Sequence, residues 1–256
     1  MEHNSKVAIV TGASSGIGYA TSLVLTKVGI RVAVGARRLD RLDELENQIV
    51  ENRSEVRTKG DEEIFIQQKL DVTSKSDCDS FVDTVIKKWG RIDILVNNAG
   101  LMPLSYFKNC KIEEWEQMID VNIKGVLYCT SAVIPYMVNK KSGHIVNLSS
   151  VAGRIVFAGG SVYCATKHAI TAFSEGLRKE LSPEYNIRVT CVEPGAVSTE
   201  LLETITDESM SKFIEASKSM ERLQSEDIAN AILYAIQAPS HVNVNEILLR
   251  PTAQER

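Results

Sequence analysis

Seven short, nearly unbroken apolar runs, separated by stretches of helical period, constrain this 256-residue chain more than any other feature. They are Val7–Val10, Arg31–Gly35, Ile64–Leu70, Ile92–Val96, His144–Leu148, Arg188–Val192 and Ile247–Leu249. Most are rich in Val and Ile without polar alternation, the signature of strands buried on both faces of a helix-covered parallel sheet. The covers lie between them: Ala20, Leu23, Val24 and Val28 recur at helical spacing, as do Leu39, Leu42, Leu45 and Ile49. Strands that alternate with helices imply right-handed crossover units. The predicted fold is therefore α/β: a Rossmann-type doubly wound parallel sheet of six or seven strands in a three-layer α/β/α sandwich. One domain is predicted over residues 1–256, since no repeat or linker interrupts the pattern and 44% hydrophobic residues suffice for one large core.

Two segments break the rhythm. Asn52–Glu63 is polar and charged and reads as a surface excursion. Ser198–Glu221 follows the sixth strand with no β pattern of its own and reads as a substrate lid at the carboxyl ends of the strands. The helical patterns Glu113–Asn139 and Ser161–Leu181 are long and apolar on more than one side, which predicts packing against another subunit.

Composition narrows the partners. A net charge of −4 argues against nucleic acid. No apolar run approaches the ~18 to 20 residues of a membrane span, and Val7–Val10 is too short for a signal core, so the expectation is a cytoplasmic protein without a membrane partner. The cysteines (Cys78, Cys110, Cys129, Cys164, Cys191) contain no C-x-x-C, and the four histidines share no ligand spacing, so no metal is predicted. His168, beside Lys167, points about 100° away from it on a helix and is assigned to packing or surface.

The first strand runs into Thr11-Gly12-Ala13-Ser14-Ser15-Gly16-Ile17-Gly18 and then a helix. That context aims backbone N–H groups and a positive helix end at the tip of the sheet, where a pyrophosphate can sit. Gly12 permits the tight turn, Gly16 close approach to phosphate, and Gly18 close helix packing. At the end of the second strand, a NAD-binding chain carries an acid that bonds the adenosine ribose. This chain has Ala36 there, followed by Arg37 and Arg38. Guanidinium groups bind phosphate in a bidentate, charge-assisted way, so the expected cofactor is NADP(H), with Arg37 as chief contact and Arg38 as helper.

Tyr163 and Lys167 begin another helical pattern and lie one turn apart on one face, and Ser150 stands just past the fifth strand. Carbonyl reduction needs a proton donor on the nascent alkoxide. A phenol ordinarily titrates near 10, and a neighbouring ammonium favours phenolate and lowers that value. Ser150 is placed to hold the substrate oxygen. Asn122 is a candidate fourth member, through a water that links Lys167 to solvent. Substrate contacts are expected from Met102–Phe107, Arg154–Gly160 and the lid, with Arg154 either pairing a substrate carboxylate or serving structure.

In this order, these pieces resemble the classical short-chain dehydrogenase/reductase family over essentially the whole chain. The resemblance rests on Thr11–Gly18, Asp71-Val72, Asn97-Asn98-Ala99-Gly100, Asn122, Asn147–Ser150, Tyr163-x-x-x-Lys167 and Pro194–Thr199. It implies that Asp71 and Val72 contact adenine and that Asn98, Ala99 and Gly100 flank the adenosine ribose. It also implies that Val197 and Thr199 bind the carboxamide, with Pro194 and Gly195 among the cofactor contacts, and that Asn122, Ser150, Tyr163 and Lys167 form a catalytic tetrad. Its tetramers, built on four-helix contacts, suggest a homotetramer or homodimer here. The Glu193-Pro194-Gly195 sequence and the tail from Ala238 to Thr252 are similar to the NADP-dependent 3-hydroxy acid (serine) and clavulanate dehydrogenase branch, which points to small aldehydes, 3-oxo acids or 3-hydroxy acids. A 3-oxoacyl-carrier-protein reductase ranks second, and a non-catalytic dinucleotide-binding redox sensor behind it.

Overall fold

A computed structural model describes residues 6–54 and 64–254. Its seven strands are β1 (Val7–Thr11), β2 (Arg31–Ala36), β3 (Phe65–Lys69), β4 (Ile94–Asn97), β5 (Gly143–Leu148), β6 (Ile187–Pro194) and β7 (Glu246–Leu249). They form one parallel sheet in the order β3-β2-β1-β4-β5-β6-β7. The chain winds outward from β1 in one direction and from β4 in the other. That reversal opens a crevice at the carboxyl ends of the strands, the place where open α/β sheets bind ligands.

The reason for unbroken apolar strands is visible in β1. Ala8 and Val10 face a core completed by Leu25 of α1 (Gly16–Lys27), Leu42 and Leu45 of α2 (Leu39–Ser54), and Ile232 of α8 (Ser225–Gln237). Val7 and Ile9 face the opposite core, completed by Phe81 of α3 (Lys75–Trp89), Val133 of α5 (Val126–Lys140) and Leu181 of α6 (Ser161–Tyr185). Both faces exclude water, so neither position of the two-residue strand period can be polar.

Three boundaries differ from the sequence expectation. The predicted Asn52–Glu63 excursion begins as helix, because α2 continues to Ser54; residues 55–63 lie outside the described part. The single helix expected over Glu113–Asn139 is α4 (Ile112–Ile119), a π-helical turn Asp120–Gly125, and then α5. The stretch Ile112–Lys140 is long and apolar enough to cross a membrane by composition, yet Cys129, Val133 and Met137 pack it onto the sheet. The helix expected to stop at Leu181 runs on to Tyr185.

The predicted lid region leaves the sheet and carries two 3-10 turns (Glu200–Thr204 and Glu208–Met210) and α7 (Ser211–Ser219). Its stem is closed by a parallel bridge between Val197 and Leu223. The Ser198 amide donates to the Leu223 carbonyl (2.8 Å), and the Leu223 amide to that of Ala196 (3.0 Å).

Candidate active site

The turn after β1 is built by close backbone approach. Gly12 has φ +66°, and a Cβ there would stand 2.7 Å from the Ala99 Cα. A Cβ on Gly18 would meet the Asn98 Nδ2 at 2.4 Å. Asn98 fixes this turn by donating to the carbonyls of Thr11 (2.9 Å) and Gly12 (3.1 Å). The Thr11 hydroxyl accepts from the amides of Asn98 and Ala99, both at 3.1 Å. Helix α1 begins at Gly16 with no side-chain cap and no acid in its first turn. Its free N–H groups and positive dipole end therefore remain available to an anion.

Arg37 and Arg38 follow β2 at the same rim and are exposed. Arg38 Nη2 donates to Ser14 Oγ (3.1 Å) and Ser15 Oγ (2.9 Å), and pairs with Glu200 at 2.8 Å. Asp71 accepts from the Thr73 amide (3.0 Å) and hydroxyl (2.8 Å). Burial works against its ionisation, but those bonds and the charge of Arg37 hold its carboxyl below the ordinary range. Val72 lies against Gly125, where a Cβ would come within 2.7 Å of it.

One cavity of about 1210 Å³ is lined by every predicted site residue except Gly18 and Asn122, which stand behind its wall. Ordinary small-ligand clefts occupy roughly 300–1,000 Å³. An uncapped helix end, two arginines at the rim and this volume fit an extended dinucleotide with a small second ligand.

At the inner end, Ser150 caps the 3-10 turn Val151–Gly153. Its Oγ accepts from the Ala152 amide (3.1 Å) and donates to the Pro194 carbonyl (3.3 Å). Tyr163 lies in the first turn of α6 and is 5% exposed. Burial pushes its phenol up to about 12, against a hydrogen bond from Ser150 that lowers it. The lowering expected from Lys167 is not found: burial raises the phenol, and Ser150 is the group that opposes it. Lys167 Nζ stands 5.8 Å from the Tyr163 ring centroid and donates to the Leu148 carbonyl at 2.8 Å. Burial brings its ammonium down to about 8. Asn122 sits in the π turn, its Oδ1 accepting from the Leu101 amide (2.9 Å). Its Nδ2 donates to the Leu101 carbonyl (3.0 Å) and Thr166 Oγ1 (3.2 Å). The amide thus ties the turn after β4 to α6.

The substrate wall differs from expectation. Arg154 is absent from it, because it pairs with Glu193 and Glu246 instead. Met102 and Pro103 line the cavity, whereas Phe107 stacks on Trp115 with ring centroids 4.6 Å apart. Glu114 and Gln117 of α4 and Gln254 of the tail contribute without having been foreseen. Gln254 Oε1 accepts from the Ala196 amide at 2.9 Å, a contact that no local pattern announces. His168 bonds its own helix through Nδ1 and the Cys164 carbonyl (2.8 Å) and does not line the cavity.

Such a cradle and polar corner at a switch point define a nicotinamide-dependent oxidoreductase. The short chain dehydrogenase family profile matches residues 6–210, and the chain belongs to that family. It is 47% identical to an uncharacterized oxidoreductase of Staphylococcus saprophyticus, over 97% of either chain. Among solved structures it resembles a serine dehydrogenase in a closed form complexed with NADP+ (34% identity, TM-score 0.87, 98% of this chain and 96% of that one). It also resembles a 3-ketoacyl-(acyl-carrier-protein) reductase from Brucella melitensis complexed with NADH (26% identity, TM-score 0.81, 96% of each chain).

Proposed function

We propose that this chain is an NADP(H)-dependent oxidoreductase acting on CH–OH donors and the matching carbonyls, with a small aldehyde, 3-oxo acid or 3-hydroxy acid as substrate. The observation that carries the reading is one cavity whose rim holds Arg37 and Arg38 after Ala36 and whose inner end holds Ser150, Tyr163 and Lys167. A nicotinamide supplies or accepts the hydride when bound. The protein's own work is binding, orientation and proton movement. Arg37 and Arg38, with Ser14, Ser15, Gly16 and Ile17, receive the phosphates. Asp71 and Val72 hold the adenine, and Asn98 to Gly100 the ribose. Pro194, Gly195, Val197 and Thr199 hold the carboxamide.

In reduction, the Tyr163 hydroxyl gives its proton to the carbonyl oxygen as carbon receives hydride, and Ser150 donates a hydrogen bond to that same oxygen. In oxidation the phenolate takes the alcohol proton. Lys167 favours that phenolate by its charge, and Asn122 completes the tetrad from behind the wall by anchoring α6. The segment 198–221 serves as the lid of a single catalytic domain. Ile119, Leu127 and Tyr136, exposed on α4 and α5, support a homotetramer or homodimer, and the reading is of a cytoplasmic enzyme.

The test is NADPH oxidation and NADP+ reduction over small aldehydes, 3-oxo acids, 3-hydroxy acids and acyl thioesters. Tyr163→Phe is expected to abolish turnover while cofactor binding persists, and Arg37→Ala to erase the preference for NADPH over NADH. Retained turnover in the first variant, or retained preference in the second, would refute the corresponding role. The second reading, a ketoacyl reductase, is favoured by the Brucella reductase's likeness over nearly the whole chain; exclusive turnover of long acyl thioesters would select it.

A further inference from the structure

The ion pair between Arg154 and Glu193 lies outside the cavity wall and takes no part in the chemistry above. Glu193 is fully buried, with 0% exposure. Arg154 Nε donates to both of its carboxylate oxygens at 2.9 Å, and Nη2 stands 2.7 Å from Oε2. Nη2 also reaches Glu246 on β7. Arg154 is the open end of the pair, its side chain 38% exposed; solvent screening leaves such a pair little net stability, and what it contributes is the placement of the segments it joins.

What it fixes are two segments that both end in functional groups. Arg154 closes the 3-10 turn opened by Ser150. Glu193 immediately precedes Pro194, whose carbonyl accepts the Ser150 hydroxyl, and Gly195 of the proposed carboxamide turn. The network then continues into the catalytic helix. Thr171 Oγ1 reaches Glu193 Oε1 at 3.3 Å and Ser149 Oγ at 2.9 Å, and Ser149 Oγ donates to the Lys167 carbonyl at 3.0 Å. A Cβ on Gly153 would lie 2.6 Å from Ser149 Oγ and 2.7 Å from Thr171 Oγ1, so the serine turn is seated directly on this network.

We infer that Arg154 and Glu193 are positioning residues, a clamp anchored on the buried Glu193 carboxylate that sets the Ser150 hydroxyl against the Tyr163 phenol and holds the carboxamide turn at its distance from both. The inference rests on the proposed hydride-transfer reading for its kinetic consequence, but the Ser150–Tyr163 geometry can be read without turnover. Ser150 lowers the phenol's titration, so displacement of Ser150 moves that titration upward. Lys167 faces the phenol from its own helix and the Cys164 thiol lies next to Tyr163 in sequence; neither side chain is altered by the variants.

The test uses the double variant Arg154→Met with Glu193→Gln, which removes the pair without stranding a buried charge, and the single variant Arg154→Lys, which keeps the charge and loses the fork. Tyr163 ionisation is followed by ultraviolet difference absorbance against the same protein carrying Tyr163→Phe. The expected result is a smaller phenolate fraction at one fixed pH of about 11 in the double variant than in wild type, with partial recovery in Arg154→Lys. Turnover number is expected to fall about tenfold or more, while KM for a small carbonyl changes by less than about threefold, as misplacement of a reacting group produces. A folded double variant with wild-type Tyr163 titration and turnover, even with a lower melting temperature, makes the pair a structural staple only and overturns the inference. If the double variant does not fold, the same comparison is made on Arg154→Lys, where unchanged titration and turnover overturn it. A wild-type protein without carbonyl turnover would refute the functional reading and leave the phenol titration to judge the clamp.

Discussion

Replacing Lys167 by Met is expected to stabilise the cofactor-free protein while removing its activity. Lys167 is 7% exposed, and burial brings its ammonium from 10.5 down to about 8. At about 1.4 kcal/mol for each tenfold change in proton affinity, holding it charged near pH 7 costs about 3 kcal/mol. The hydrogen bond to the Leu148 carbonyl returns about 1 kcal/mol, which Met forfeits. The net gain for Lys167→Met at pH 7 is therefore about 2 kcal/mol. The sign reverses with pH in a defined window. The folded value is depressed, so the unfolded chain binds the extra proton between about 8 and 10.5, and wild-type stability rises with pH there. By about pH 9.5, still below the ordinary tyrosine range, the advantage of Met shrinks by about 2 kcal/mol and disappears. Urea unfolding of both proteins at the two pH values measures this directly. A Met variant less stable than wild type at pH 7, or a difference independent of pH, would refute the reasoning.

Two further substitutions test the frame around the site. Gly18→Ala places a Cβ 2.4 Å from Asn98 Nδ2 and 2.6 Å from the Gly12 carbonyl, so the Asn98 side chain must leave the turn it braces. Stability is expected to fall by about 1–3 kcal/mol and cofactor affinity by about tenfold, read by urea unfolding and fluorescence titration; wild-type affinity would contradict the close-packing role. At the opposite end of the sheet, Asp93 accepts from the Val7 amide (2.8 Å), Arg91 (2.7 Å) and Lys140. Burial opposes its ionisation, yet these donors hold its carboxyl below the ordinary range, so its contribution is present above the unfolded value and lost as pH falls through the folded one. Asp93→Asn is expected to cost about 2–3 kcal/mol near neutrality, less in acid, with cofactor affinity unchanged; a cost equal at both pH values would show that charge is not what Asp93 contributes.

The sheet was legible because its cause is local: Val7 to Val10 must be apolar at every position when both faces are covered. The site was legible to the extent that its parts sit at strand ends in short contiguous motifs, as with the turn after β1 and the Tyr163–Lys167 helix face. Partners far apart in the chain left no such mark. Arg154 and Glu193 are 39 residues apart, and Ala196 and Gln254 are 58 apart, so neither contact has a spacing to betray it. The π turn around Asn122 was hidden because one widened turn leaves an apolar helical stripe nearly continuous.

The titration of Tyr163 escapes the sequence for a different reason. Spacing places an ammonium one turn from the phenol, but the direction of titration depends on how deeply both are buried, and that depth is collective. Leu101, Met102, Leu104, Met118 and Met210, from the β4–α4 loop, α4 and the segment 198–221, form one apolar cluster with Tyr163. Burial thus moves the two groups in opposite directions, the phenol up to about 12 and the lysine down to about 8, so near neutrality both hold their protons. Sequence identifies which groups meet, whereas packing decides how tightly each holds its proton.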